Sequence, residues 1–587
     1  MKTAQLSTTA IRRLIQTATA KKKATTVISN ISLVNVYSRE IHPNFSVGLC
    51  QDRIIYIGPD PKGLIGSRTQ VISGQGRFLL PGFIDAHTHL DSIFTAHNYI
   101  PYALATGNTT IITEMGTVAN VFGRKGVNWF MQESSGLPLK IFYVAPVMTP
   151  PFPEIETSQG MNPKELAQVI NMPQVLGIGE AYWPRVVHLD PRILNAFTQS
   201  HKLNKTREGH AAGARDKNML AYVAAGATSC HEATTLDEAL ERLRMGMAVM
   251  IRDGFVRSEL EAIAPIARSG LDLSRLMLVS DTFHTGELAQ GKGMNTLLAR
   301  AVALGFDPLT AVQMGTQNPA TYFGLKELGG IAPGKVADLI LVDDLTHFNC
   351  LKVWTNGQLV WDQGTYLAQS PPFRYPLEAG DSFAMTKVDP EIFSLPFSEP
   401  EALVRTVKAV NQTITKEGRV TLKSKNGLLH ADPRQDCLKM AVIQRMDKGP
   451  KPSLGFCQGI GLKKGAVATS LFWDANNILV IGVSDQDMAL AVNRLLQIKG
   501  GWVVSEGEHI LAEIPMPVMG VISEEPLPVI NEQIDALEKT IQDLGSALER
   551  PFLTIQTFCF TGLPFIRLTD KGLADIRKNE LVDLFLP

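Results

Sequence analysis

The chain has 587 residues, well beyond a single domain of about 100–200, so several folded units are expected. Hydrophobic residues at 45% and charged residues at 19% exclude a disordered chain. Lys and Arg number 56 against 57 Asp and Glu, a net charge of -1, which leaves no basic field to hold nucleic acid or an anionic membrane.

The first 39 residues carry no acid. They do carry Lys2, Arg12, Arg13 and Lys21–Lys23 among many Ser and Thr, the composition of an organelle-targeting segment. A surface helix over Leu6–Ala20 leading into the first strand is the preferred reading, because no apolar core or cleavage-type site follows. Short β-rich segments come next (Val27–Asn35, Ser46–Leu49, Arg53–Ile57, Thr69–Ser73), punctuated by Gly and Pro. They read as strands of a small antiparallel sheet. Phe78–Ile84 is nearly all apolar and reads as one strand buried on both faces. Apolar strand candidates then recur at Thr109–Thr113, Ile141–Val147, Val175–Gly179, a stretch ending at His210, Ala227–Cys230, Met247–Ile251 and Leu276–Ser280. Helical patterns such as Leu236–Met245 and Glu259–Ala267 lie between them. This alternation over residues 81–325 predicts an α/β fold, a (β/α)8 TIM-type barrel.

After Gly324 the β rhythm returns with Gly329–Asp343 and with Leu351–Gln363, where Thr-Asn-Gly-Gln predicts a hairpin turn. Residues 326–365 thus complete a small β-sandwich begun by residues 1–80, with the barrel inserted between its halves. Residues 366–387 read as a linker, its Tyr366–Pro376 stretch rich in Pro and polar residues. From Val388 to the end a C-terminal α+β domain is expected. Its strands are Gly455–Gly459, Ala466–Phe472, Ile478–Gly482 and Trp502–Val504, and its helices Asp487–Leu496 and Pro528–Leu544. Ser484 or Asp485 is the expected cap of the first helix. Trp473 and Phe472 are expected in the core. No apolar run approaches the ~20 residues of a spanning helix. The six cysteines are scattered, with no Cys-x-x-Cys pair, which favours a reducing compartment and a cytoplasmic protein.

The active site of such a barrel forms at the carboxyl ends of its strands. There the sequence places His87 and His89, Glu114, Val147, Glu180, His210, His231 with Glu232, Arg252 with Asp253, and Asp281. Imidazoles and carboxylates converging on one mouth suit first-row divalent metals without thiolates. Alternation along a strand points His87 and His89 the same way, towards one ion. His210 and His231 can serve a second ion, with Glu180 bridging. Asp281 can ligate one ion and hydrogen-bond its water, whose pKa is lowered to about 7. Glu232, beside a ligand, is either a general acid or an anchor for His231.

The segment PGFIDAHTHLD (residues 81–91) resembles the first-strand signature of the amidohydrolase superfamily, and IAPGKVADLILVD its return into the sandwich. GNTTIITEMGTVANVFG, GIGEAYWP, EGHAAG and SCHEAT narrow the resemblance to the adenine deaminase family. GAVATSLFWDANNILVIGVSDQDMALAVN, MPVMGVISEEP and RLTDKGLADI extend it over the C-terminal unit. The resemblance implies a binuclear Mn2+ or Fe2+ site, with Zn2+ as an alternative, held by His87, His89, Glu180, His210, His231 and Asp281. It also implies a purine-like small-molecule substrate and a homo-oligomer, a dimer. Two motifs depart from the family pattern. Asp-Pro-His-Glu is replaced by Glu114-Met115-Gly116-Thr117, and His-Asp-Ser-His-Asn by Trp473-Asp474-Ala475-Asn476-Asn477. His284 is the one imidazole near the mouth to substitute, or a loop histidine facing solvent.

The expected reaction is adenine plus water to hypoxanthine plus ammonia, by attack of a metal-bridging hydroxide with Asp281 handling its proton. The alternatives are hydrolysis of another cyclic amidine, amide or lactam, and a catalytically silent binding homologue.

Overall fold

The computed structural model describes residues 6–370, 373–449 and 451–587. Lys2 of the basic N-terminus, and Pro371 and Pro372 of the expected linker, lie outside them. The N-terminal helix runs Thr8–Ala18, its start fixed by the Ser7 hydroxyl accepting from the Ala10 amide. It lies along the strand Arg53–Gly58, and Arg13 donates to Gln51 at 2.7 Å.

The first β unit is a nine-stranded sheet. The expectation of an antiparallel sheet fails in part: Thr26–Asn35 pairs antiparallel with Glu40–Cys50, but parallel with Gln70–Ser73 and Phe78–Pro81. Phe78–Ile84 is likewise two strands. Phe78–Pro81 joins this sheet, whereas Phe83–Thr88 opens the barrel. At the break, a Cβ on Gly82 would lie 2.1 Å from the Thr109 hydroxyl, so only glycine lets the chain pass between the sheets. Leu339–Val342 returns antiparallel to Phe78–Pro81. The hairpin Cys350–Thr355/Gln358–Asp362 then turns on Asn356 and Gly357, both at positive φ. Val47, Leu79, Leu339 and Trp354 are buried in this unit's own core.

The barrel strands are Phe83–Thr88, Asn108–Thr113, Lys140–Ala145, Val175–Tyr182, Thr206–His210, Ser229–Cys230, Ala248–Arg252 and Leu276–Val279, parallel and in chain order round the sheet. Two-residue alternation stacks an apolar layer under a polar one. The face that carries Met250 carries Arg252, and the face of Met277 and Val279 carries Asp281. Between the eighth strand and the first, the Ser280 hydroxyl donates to Asp85 at 2.6 Å and the Asp281 amide to the His87 carbonyl at 3.1 Å.

The C-terminal unit is a nine-stranded sheet with the helices Asp485–Gln497 and Leu527–Asp543. Ser484 is the cap of the first helix, accepting from the Asp487 amide at 3.1 Å. The strands Glu401–Ala409, Thr415–Lys423, Leu438–Ile443 and His509–Pro515 were not anticipated. The first two alternate charged with apolar residues and read as surface. The unit sits over the barrel mouth: Ile522–Ser523 pairs parallel with Ile93–Phe94, and Asn477 donates to the Thr157 carbonyl at 2.9 Å.

Candidate metal centre and its cavity

Strand ends bring the residue types together, and local backbone aims them. Pairing of the first and second strands shifts register between Asp85 and Thr88, which re-aims His87 into the barrel. Asp281 takes a left-handed backbone, φ 57°, a conformation Asp tolerates better than most residues.

The Glu180 carboxylate is the hub. Its Oε1 lies 3.6 Å from His87 Nε2, 3.8 Å from His89 Nε2, 3.0 Å from His231 Nε2 and 3.4 Å from His210 Nδ1. Asp281 Oδ1 faces His87 and His89, each at 3.4 Å from Nε2. The grouping His87–Glu180–His231–Asp281 shares a corner with His210–His231–Glu232. Nε2 of His87 and of His231 is buried with no hydrogen-bond partner. A buried imidazole nitrogen without a partner is costly unless an ion takes its lone pair. The donor set, nitrogen and carboxylate with no sulfur, suits a first-row divalent ion. The residues therefore fit two such ions.

Arg252, 3% exposed, sets the charge state beneath them. Its Nη1 donates to Glu232 at 2.6 Å and to Asp281 Oδ2 at 3.1 Å, while Nε and Nη2 clasp Glu259 at 3.1 and 2.9 Å. Burial alone would raise the Glu232 carboxyl, but Arg252, His210 and His231 outweigh it and hold Glu232 far below the usual range. Asp281 is held low in the same way: burial is overcome by His87, His89 and Arg252.

Matches to known families cover most of the chain. Residues 78–360 match the amidohydrolase family and residues 412–580 the adenine deaminase C-terminal domain. Adenine deaminase 1 of Carboxydothermus hydrogenoformans is 33% identical over 99% of this chain and 99% of its own. The adenine deaminase of Desulfatibacillum aliphaticivorans is 34% identical over 95% and 97%, and that of Moorella thermoacetica 34% over 98% and 98%. The chain belongs to the adenine deaminase family. It is a metal-dependent hydrolase of C–N bonds within the amidohydrolase superfamily.

In this family member a cavity of about 100 Å3 opens onto Glu180, His210 and Asp281. That is the scale of a small heterocycle. Glu114 lines it and accepts from the Glu180 amide at 3.1 Å. Gly116 and Thr117 line it too, and a Cβ on Gly116 would meet nothing within 4 Å. His284 does not face the cavity. It caps the helix Thr285–Ala289, its Nδ1 accepting from the Gly286 amide at 3.0 Å, and its ring leans on Phe255. Phe472 is core, as expected, but Trp473 is not. It lines the cavity edge-on to Phe560, because Asp474 at φ 70° turns the chain back over the mouth.

Sequence reasoning missed three polar contributors. Glu208 shares its strand face with His210, and its Oε2 lies 3.8 Å from His87 Nδ1; the period-two spacing in EGH was the available signal. Arg252 was placed at its strand end without a role. Tyr182 lies tilted against His210, ring centroids 4.6 Å apart, and donates to Asp474 at 2.8 Å, a contact between units that no local pattern encodes.

Proposed function

We propose that this family member deaminates adenine to hypoxanthine with release of ammonia. The observation that carries the reading is the joined ligand cluster at the floor of a heterocycle-sized cavity, in a chain whose full-length relatives are adenine deaminases. His87 and His89 with Asp281 would hold one ion, His210 and His231 the other, and Glu180 both. Mn2+ or Fe2+ is the favoured metal, with Zn2+ possible. Bound there, the ions supply a water acidified to about neutrality and positive charge against the charge developing on the substrate.

The chain's own residues do the rest. Asp281, kept ionised by Arg252 and the imidazoles, takes a proton from the attacking water and passes it to the departing amine. Glu232, ionised against Arg252, has no proton to donate, which rules against the acid of its two readings. Trp473 and Phe560 give the cavity an aromatic wall for a flat ring. A dimer in the cytoplasm completes the reading. The free, mostly buried cysteines agree with a reducing compartment, and light scattering measures the dimer.

The open space at Gly116 supports a second reading, in which another cyclic amidine or lactam occupies the same floor. Protein reconstituted with Mn2+ or Fe2+ is mixed with adenine, following the ultraviolet spectrum and ammonia. Conversion at kcat/KM above about 10⁴ M⁻¹s⁻¹ is expected. Two bound ions without conversion would replace adenine by the second class.

A further inference from the structure

Two carboxyls converge on one buried hydroxyl, and one of them, Asp474, lines the cavity. Thr561 Oγ lies 3.0 and 3.2 Å from the two oxygens of Glu156 and 3.1 Å from Oδ2 of Asp474. A hydroxyl has a single hydrogen to give. When Thr561 gives it to one carboxyl, the other sits at hydrogen-bond distance from the Thr561 oxygen only by carrying a hydrogen itself. The other donors are already assigned. The Phe152 amide serves Glu156 at 2.9 Å, the Gly562 amide serves Asp474 Oδ2 at 3.1 Å, and the Tyr182 hydroxyl serves Oδ1 at 2.8 Å. The surroundings are mainly acidic. Glu180, His210 and Tyr182 face Asp474 from the barrel, Asp570 stands behind Glu156, and Arg192 is the cation on that side. Burial pushes Asp474 up to about 7 and, with Asp474 opposite, raises Glu156 as well.

Ring deamination needs an acid on the substrate side, since amide ion leaves very poorly and the ring nitrogen gains charge as the carbon is attacked. Glu232 and Asp281 are both tied to Arg252. Asp474 lines the same cavity from the C-terminal unit. We propose that Asp474 and Glu156 share one proton through Thr561, and that Asp474 is the general acid that protonates the ring nitrogen next to the attacked carbon. This rests on the deaminase reading above.

The step balances. The water oxygen bonds to the ring carbon while its first proton goes to Asp281, and Asp474 gives its proton to the adjacent ring nitrogen. Asp281 then protonates the amine, the C–N bond breaks and ammonia leaves. The hydroxyl proton is released as the carbonyl forms, and the pair takes one proton back from solvent.

The test has two arms on full-length, metal-loaded protein. Infrared titration without substrate is expected to show a protonated carboxyl near pH 6 that fades as pH rises through about 7 and is missing from Asp474→Asn. In adenine turnover, Asp474→Asn is expected to lose about 10²–10⁴ in kcat with metal content unchanged. Glu156→Gln removes the like charge opposite, so the basic limb of kcat/KM is expected to move to lower pH. Absence of the band, an Asp474→Asn enzyme within threefold of wild type, or an unmoved limb in Glu156→Gln would overturn the proposal. A wild-type protein that shows the band without deaminating adenine would sink the deaminase reading and the donor role with it, while the shared proton stands on the infrared arm.

Discussion

Arg252 sits between three buried carboxylates, Glu232, Glu259 and Asp281, so removing its charge strands them without a counter-ion. Arg252→Met is expected to destabilise the protein by about 3 kcal/mol or more, read as a lower Tm, and to abolish turnover. Asp281 is one of six proposed ligands and the base of the proposed mechanism. Asp281→Asn is therefore expected to cut kcat by at least about 10³-fold while metal analysis still finds most of the metal; undiminished turnover would remove it from the mechanism. His284 provides the contrast. Its ring nitrogen caps a helix rather than facing substrate, so His284→Ala is expected to cost about 1 kcal/mol of stability and leave kcat within twofold.

At the scale of elements, strand ends set which groups meet, and turns decide how they point. Arg252, the last residue of the seventh strand, lies above Met250 by plain alternation, whereas Asp281, just after the eighth, is aimed by its left-handed backbone. The first strand needs a register shift to do the same for His87. The segment Leu471–Asn477 behaves as a lid edge made of backbone. Asp474 and Asn476 take positive φ, and the Asn476 side chain donates to the Asp474 carbonyl at 2.7 Å. That turn is what moves Trp473 out of the core and over the cavity.

At the scale of the whole molecule, the site is complete only with both units in place, since Trp473, Asp474 and Phe560 come from the C-terminal sheet and its following segments. Trp473→Ala is expected to raise KM for adenine about tenfold or more with metal stoichiometry unchanged, because the proposed metal ligands lie wholly in the barrel. Metal binding adds to the stability of the assembly by mass action. The imidazoles must be neutral to bind an ion, and in the metal-free protein the carboxylates around His87, His89 and His210 outweigh burial and hold them above the usual imidazole range, so metal affinity is expected to fall as pH drops, beginning above the range of a free imidazole. Chelation should lower Tm at pH 8, and the gap between loaded and stripped protein should shrink towards pH 5.

Local sequence patterns encode the barrel and the places of its polar strand ends. Strand periodicity, turn residues and the spacing of His87, His89, Glu180, His210, His231 and Asp281 are local properties, and the barrel topology converts strand ends into one mouth. Motif resemblance added the family and the C-terminal unit. Tertiary structure alone decided the split of Phe78–Ile84 between two sheets, the parallel pairings of Thr26–Asn35, the turning of His284 into a cap and the ionised state of Glu232. It also decided the meeting of Glu156, Asp474 and Thr561, residues 405 and 87 positions apart along the chain. Each of these depends on which surfaces face each other after folding. Hydrogen-bond partners and burial, which fix a carboxyl's proton, are supplied by distant segments, and no window of neighbouring residues contains them.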